Sequence, residues 1–114
     1  MTLLIVDDSA EMRRLIRQVA AESNDVVIEC SDGDEVLEAY AAHHPDWVLM
    51  DVEMKRMDGL TATSNLRRQH PEAKVLILTK HTDEETRRAA REAGARFFLG
   101  KDEIISLRTV IRES

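Results

Sequence analysis

Short apolar runs alternate along this chain with stretches in which apolar residues recur every three or four positions. The runs are Leu3-Leu4-Ile5-Val6, Val26-Val27-Ile28-Glu29-Cys30, Trp47-Val48-Leu49-Met50, Val75-Leu76-Ile77-Leu78 and Phe97-Phe98-Leu99-Gly100. Such runs, bounded by turn residues, predict parallel strands covered on both faces. The stretches between them predict helices. Ser9 caps the first, with Met12, Leu15, Ile16, Val19 and Ala20 at helical spacing. The Asp32-Gly33 turn leads into the second, whose inner face carries Val36, Leu37, Tyr40 and Ala41. His44-Pro45 ends it, because a residue before proline is pushed out of the helical region. The third strand is expected from Asp46 to Asp51, followed by a loop, Val52 to Met57. Asp58-Gly59 opens a third helix that runs to Gln69 and is closed by Pro71. Thr82-Asp83-Glu84-Glu85 matches a capping box, with Thr82 as the cap and Glu85 reaching back to its amide. Gly94-Ala95 stops the fourth helix, and Asp102 caps a last one with Ile104, Leu107, Val110 and Ile111 inward.

Strand and helix alternate without a linker, repeat or low-complexity segment, which predicts one α/β domain over residues 1–114. Its architecture should be a doubly wound parallel sheet with helices on both faces. The fourth helix is expected to be weakly anchored. Its inward positions are only Ala89, Ala90 and Ala93, among Arg87, Arg88, Arg91 and Glu92. Weak anchoring suits an element that moves.

A formal net charge of -6 disfavours binding to nucleic acid or anionic membranes. Cys30 is the single cysteine, has no partner for an internal disulfide, and reads as a small buried hydrophobe. No apolar stretch approaches membrane-spanning length, and Met1-Thr2-Leu3 enters the first strand directly, so the expectation is a cytoplasmic protein. The histidines, His43, His44, His70 and His81, show no metal-ligand spacing and are expected at the solvated surface.

Chemistry gathers at the strand ends. The first run meets Asp7-Asp8, the third Asp51, the fourth Thr79 and the fifth Lys101. Ligands of open α/β sheets bind beyond the carboxyl ends of the strands, so these residues should share one edge. Carboxylates crowded there repel one another unless a cation is present. Magnesium takes oxygen ligands and keeps several waters, so two or three carboxylates and a carbonyl suffice. A carboxylate can also attack phosphorus to give an aspartyl-phosphate, and Lys101 with the cation would balance the transferring oxygens.

From end to end the chain resembles a response-regulator receiver domain, the fold of the bacterial chemotaxis regulator. The resemblance rests on Asp7-Asp8, the stretch from Asp51 through Val52-Glu53-Met54-Lys55-Arg56-Met57 to Asp58-Gly59, Thr79, Phe98 and Lys101. It implies a flavodoxin-like sheet of order 2-1-3-4-5 and Asp51 as phosphoacceptor. Asp8 would bind Mg2+ directly and Asp7 partly through water, with Asp51 and the backbone carbonyl of Glu53 completing the protein's share. Thr79 would hydrogen-bond a phosphoryl oxygen, Lys101 would pair with another, and Phe98 would be the switch aromatic, leaving Phe97 as core. The implied partners are a sensor histidine kinase or phosphotransfer protein and a downstream protein target, reached through the fourth helix, fifth strand and last helix. No separate substrate would be turned over.

Three positions depart from the family's pattern. Lys55 stands where a proline is usual, so the loop after Asp51 loses a φ restraint and gains a charge. Lys80 replaces a small residue, which narrows access to the phosphoryl site. Asp102 replaces a proline, as in receivers of regulators with a helix-turn-helix output domain. Glu53, Lys80 and His81 are expected around the pocket mouth, where they would set the phosphoryl lifetime. Other classes fit less well. A phosphorylation-independent pseudo-receiver has no need of the whole Asp7, Asp8, Asp51, Thr79 and Lys101 set. An aspartate-nucleophile phosphatase would want an aspartate where Glu53 stands, and a cap domain for which 114 residues leave no room. A flavodoxin would want a phosphate-cradling loop where Asp7-Asp8-Ser9 would repel phosphate. A receiver cut from a longer DNA-binding regulator remains a second expectation.

Overall fold

A computed structural model describes residues 1–114. The chain runs β1 (Thr2–Val6), α1 (Ala10–Ala20), β2 (Val26–Cys30), a 3-10 turn (Gly33–Glu35), α2 (Val36–His43), β3 (Trp47–Met50) and α3 (Gly59–Gln69). It continues through β4 (Val75–Thr79), α4 (Glu84–Ala93), β5 (Phe97–Gly100), a second 3-10 segment (Lys101–Ser106) and α5 (Leu107–Arg112). All strands are parallel, in the order β2-β1-β3-β4-β5. This is the flavodoxin-like arrangement, with helices on both faces.

Side-chain alternation along the strands divides the core. Leu4, Val6, Val48, Met50, Val75 and Ile77 face Val36, Tyr40, Ala62, Leu66 and Ala90 of α2, α3 and α4. Leu3, Ile5, Trp47, Leu49, Leu76 and Leu78 face Ile16, Ala20, Leu107 and Ile111 of α1 and α5. The central strands β1, β3 and β4 are buried almost throughout, as continuous apolar runs require. At the sheet edges the rule weakens, because an edge strand is covered less completely. Phe97 on β5 is therefore not plain core: it is 37% exposed and leans on Trp47, centroids 5.8 Å apart.

Several local expectations are corrected. The cap of α4 is Asp83, not Thr82: its carboxylate accepts both the amide and the hydroxyl of Thr86, at 3.0 and 2.8 Å. Asp102 caps nothing. The chain enters the 3-10 segment directly after Gly100, and α5 starts only at Leu107. Ala41 points outward, while Val36 and Tyr40 are buried. His70 is not simply solvated, because its ring packs on Tyr40 with centroids 4.7 Å apart. Cys30 is buried as expected, and burial pushes its thiol up to about 11. Only Ala90 of α4 is fully buried, which keeps that helix lightly anchored. No helix is long and apolar enough to cross a membrane.

Candidate phosphoryl-transfer site

Register brings the strand ends together. Val6 pairs with Met50, so Asp7 and Asp51 leave the sheet side by side. Thr79 pairs with Gly100, which places Lys101 one residue beyond. Asp7, Asp8 and Asp51 each offer a carboxylate oxygen, all within 4.8 Å of one another. Asp7 is 1% exposed and Asp51 7%, whereas Asp8 reaches solvent.

Backbone amides hold the buried carboxylates. Asp7 Oδ1 accepts the Ser9 amide at 2.9 Å, and Asp51 Oδ1 accepts the Val52 amide at 2.8 Å. The other oxygens face Lys101, whose Nζ lies 3.1 Å from Asp7 Oδ2 and 3.4 Å from Asp51 Oδ2. Burial raises the Asp51 carboxyl above the ordinary range, the Asp7 charge adds to that, and Lys101 opposes both. For Lys101, burial works against the ammonium, yet Asp51 and Asp7 outweigh it and leave the group raised. Gly59 secures the other side of the site. A Cβ there would lie 1.8 Å from the Asp51 carbonyl oxygen, so α3 can begin this close to the end of β3 only with glycine.

Thr79 is fully buried and its Oγ1 accepts the His81 amide at 3.1 Å. Phe98 is half-buried against the α2–α4 side of the core, with the Arg87 guanidinium 4.5 Å from its ring centroid. The Glu53 side chain meets His81, Nε2 to Oε1 2.6 Å. Two contributors were not singled out from sequence. Arg13 donates to the Asp7 carbonyl at 2.7 Å, and Asp32 binds the loop after Asp51. Asp32 follows β2 at the same sheet edge, so the strand-end rule applied to that strand would have flagged it.

The donor set fits a hard divalent cation. Asp7 Oδ2 is buried without a well-formed hydrogen bond, and only the Lys101 ammonium faces it. An anionic oxygen left so, beside two more carboxylates, has the character of a magnesium ligand.

The sequence pattern of the response regulator receiver domain matches residues 3–112. The chain is 35% identical over 99 residues to the chemotaxis protein CheY of Halobacterium salinarum, covering 87% of this chain and 82% of that protein. CheY of Bacillus subtilis is 34% identical over 100 residues, with 87% and 83% covered. The DNA-binding transcriptional regulator NtrC of Escherichia coli is 34% identical over 107 residues, which are 90% of this chain but 23% of that longer protein. Among solved structures, Vibrio cholerae CheY4 superposes with a TM-score of 0.84 at 28% identity, covering 97% of this chain and 96% of that one. Receiver domains of this family bind magnesium at an acidic site and are phosphoacceptors, generally not catalytic enzymes. With the fold, the acidic edge and the relatives in agreement, the chain belongs to the response regulator receiver domain family of two-component signalling.

Proposed function

We propose that Asp51 accepts a phosphoryl group from the histidine of a sensor kinase or phosphotransfer protein, with Mg2+ required, and that the phosphorylated surface controls a downstream protein in the cytoplasm. One observation carries this reading: a single ammonium, Lys101, bridges Asp7 and Asp51 inside an otherwise acidic edge. Asp8, Asp7, Asp51 and the Glu53 carbonyl would hold the cation, which when bound supplies positive charge to the phosphoryl oxygens.

A carboxylate oxygen of Asp51 forms the new O–P bond while the P–N bond to the donor imidazole breaks, the nitrogen keeping the electron pair. Burial favours this by making the carboxylate more basic than an exposed one. Lys101 exchanges its contact with Asp51 for a phosphoryl oxygen, and the buried Thr79 hydroxyl donates to another. Thr79 moving toward the phosphoryl group leaves room for Phe98 to turn inward. Water attack on phosphorus reverses the modification, so the domain catalyses its own phosphorylation and dephosphorylation.

A pseudo-receiver would not need the whole set of Asp7, Asp8, Asp51, Thr79 and Lys101. A receiver segment of a longer DNA-binding regulator is the second reading, supported by Asp102 and by the match to NtrC. Acetyl phosphate with Mg2+ should add one phosphoryl group, read by intact mass. Asp51→Asn should abolish it, and an unmodified wild type would overturn the reading.

A further inference from the structure

Asp32 is a buried carboxylate that the phosphoryl chemistry does not use. It is 2% exposed and sits just beyond β2 at the same sheet edge as the acidic cluster. Its oxygens collect consecutive amides of one loop: Oδ2 accepts Lys55 and Arg56 at 3.1 and 3.0 Å, and Oδ1 accepts Met57 at 2.9 Å. Consecutive N–H groups turned to one point make an anion-binding concavity, filled here by a side chain from another part of the chain. That loop joins Asp51 to α3 and contains the Glu53 carbonyl.

The neighbouring turn is built for this approach. A Cβ at Gly33 would lie 2.4 Å from the Met57 carbonyl oxygen, so only glycine lets the turn and the loop close together. Arg56 reaches back to Asp34, Nε to Oδ2 2.7 Å, and to Glu35, Nη2 to Oε2 3.2 Å. These outer pairs are well exposed and contribute little. The buried contact differs, because charge-assisted bonds to a shielded carboxylate are stronger than neutral ones.

Lys55 gives the arrangement its meaning. A proline at this position would fix φ but would have no N–H to donate. Lysine gives up the φ restraint and supplies the amide that Asp32 Oδ2 accepts at 3.1 Å. In this chain the loop is therefore held at residue 55 by a buried carboxylate and not by a ring.

We propose that Asp32 is a positioning residue of the phosphoacceptor site: it clamps residues 55–57 and so holds the Glu53 carbonyl where the cation needs it. The inference rests on the proposed phosphoacceptor reading and adds to it a residue that touches neither cation nor phosphoryl group. Loss of the carboxylate weakens metal binding first. Chemistry follows only through metal occupancy, because Asp51, Thr79 and Lys101 keep their own supports.

The test is Mg2+ titration by calorimetry, without phosphodonor, alongside acetyl-phosphate labelling at rising Mg2+. For Asp32→Ala the Mg2+ dissociation constant should rise about ten-fold or more, the usual scale for residues that orient metal ligands. The labelling rate at saturating Mg2+ should stay near wild type. Asp32→Asn keeps the size and one acceptor oxygen, so it should fall between the two, and it carries the test if the alanine variant does not fold. Adding Lys55→Pro to Asp32→Ala should recover part of the lost affinity by restoring the φ restraint. Asp34→Ala, which removes only an exposed partner of Arg56, should leave affinity within about two-fold, since exposed pairs contribute little. Wild-type affinity in both Asp32 variants, with wild type itself labelled normally, would overturn this inference alone. A wild type that neither binds Mg2+ nor takes label would overturn the site reading and the clamp together.

Discussion

His81 Nε2 lies 2.6 Å from Glu53 Oε1, so the loop after β3 and the loop after β4 are joined at the edge of the acidic site. Glu53 is two residues beyond Asp51, and His81 two beyond Thr79. The hydrogen bond from His81 lowers the Glu53 carboxyl, and the imidazole's charge adds to this. In the proposed reading, the pair would stand where water approaches a phosphoryl group on Asp51.

Breaking that link should shorten the phosphoryl lifetime. The pair is exposed, its side chains 41% and 63% accessible, so opening it costs little. His81→Ala should accelerate dephosphorylation only modestly, as loss of an exposed pair implies, and leave Mg2+ affinity unchanged. Loss of label timed by intact mass checks it. A slower decay would mean that the freed Glu53 itself blocks the water.

Lys101 answers the crowding problem posed by the sequence, since the ammonium already lies between Asp7 and Asp51. Lys101→Met should lower metal-free stability by about 3 kcal/mol, because it strands two buried carboxylates. Mg2+ should then stabilise the variant more than wild type, as the cation no longer competes with an ammonium for the same oxygens. Phosphorylation should nevertheless fall steeply. Thermal melts with and without Mg2+ separate these effects. Equal Mg2+ shifts in the two proteins would show that lysine and metal do not share ligands.

The central strands and four of the strand-end groups were legible because a parallel sheet buried on both faces writes itself as unbroken apolar runs. That signal fails at the edges, which is why Phe97 looked like core. Local capping was less legible. Thr82 and Asp83 are both capping types one residue apart, and the choice fell to Asp83 because its carboxylate takes two groups of Thr86. The strand-end rule reaches Asp32 at the end of β2, but not what it binds. Its donors lie 23 to 25 residues later, and neither spacing nor periodicity encodes a tertiary contact between two loops.

At the far end of the sheet, Asp25 receives the Arg112 guanidinium, the amino group of Met1 at 2.9 Å and the Glu22 amide at 2.7 Å. The Arg112 hydrogen bond does most to hold its carboxyl well below the usual range, outweighing burial. A carboxyl lowered on folding contributes stability above its unfolded value, near 3.8, and loses it as pH falls toward the folded value. Asp25→Asn should therefore cost about 2 kcal/mol near neutrality. The difference from wild type should close progressively below pH 4. Urea unfolding across pH checks this, and a difference that persisted at the acid end would assign it to packing rather than charge.

Phosphorylation should be felt most in α4. Beyond Ala90 that helix buries little, and Arg87 rests on Phe98, the aromatic expected to turn inward. A cation over a part-exposed ring contributes about 0.5–1 kcal/mol, enough to bias the rotamer without locking it. Amide exchange within Glu84–Ala93 should change more on phosphorylation than exchange within α1, whose Ile16 and Ala20 are buried. Arg87→Ala removes the cation and should let Phe98 sample the inward position before phosphorylation, so that its unmodified form already exchanges like phosphorylated wild type in α4. If α1 responded more strongly than α4, or Arg87→Ala left α4 exchange untouched, the switch would have to lie elsewhere on the sheet edge, with Phe98 a passive part of the core.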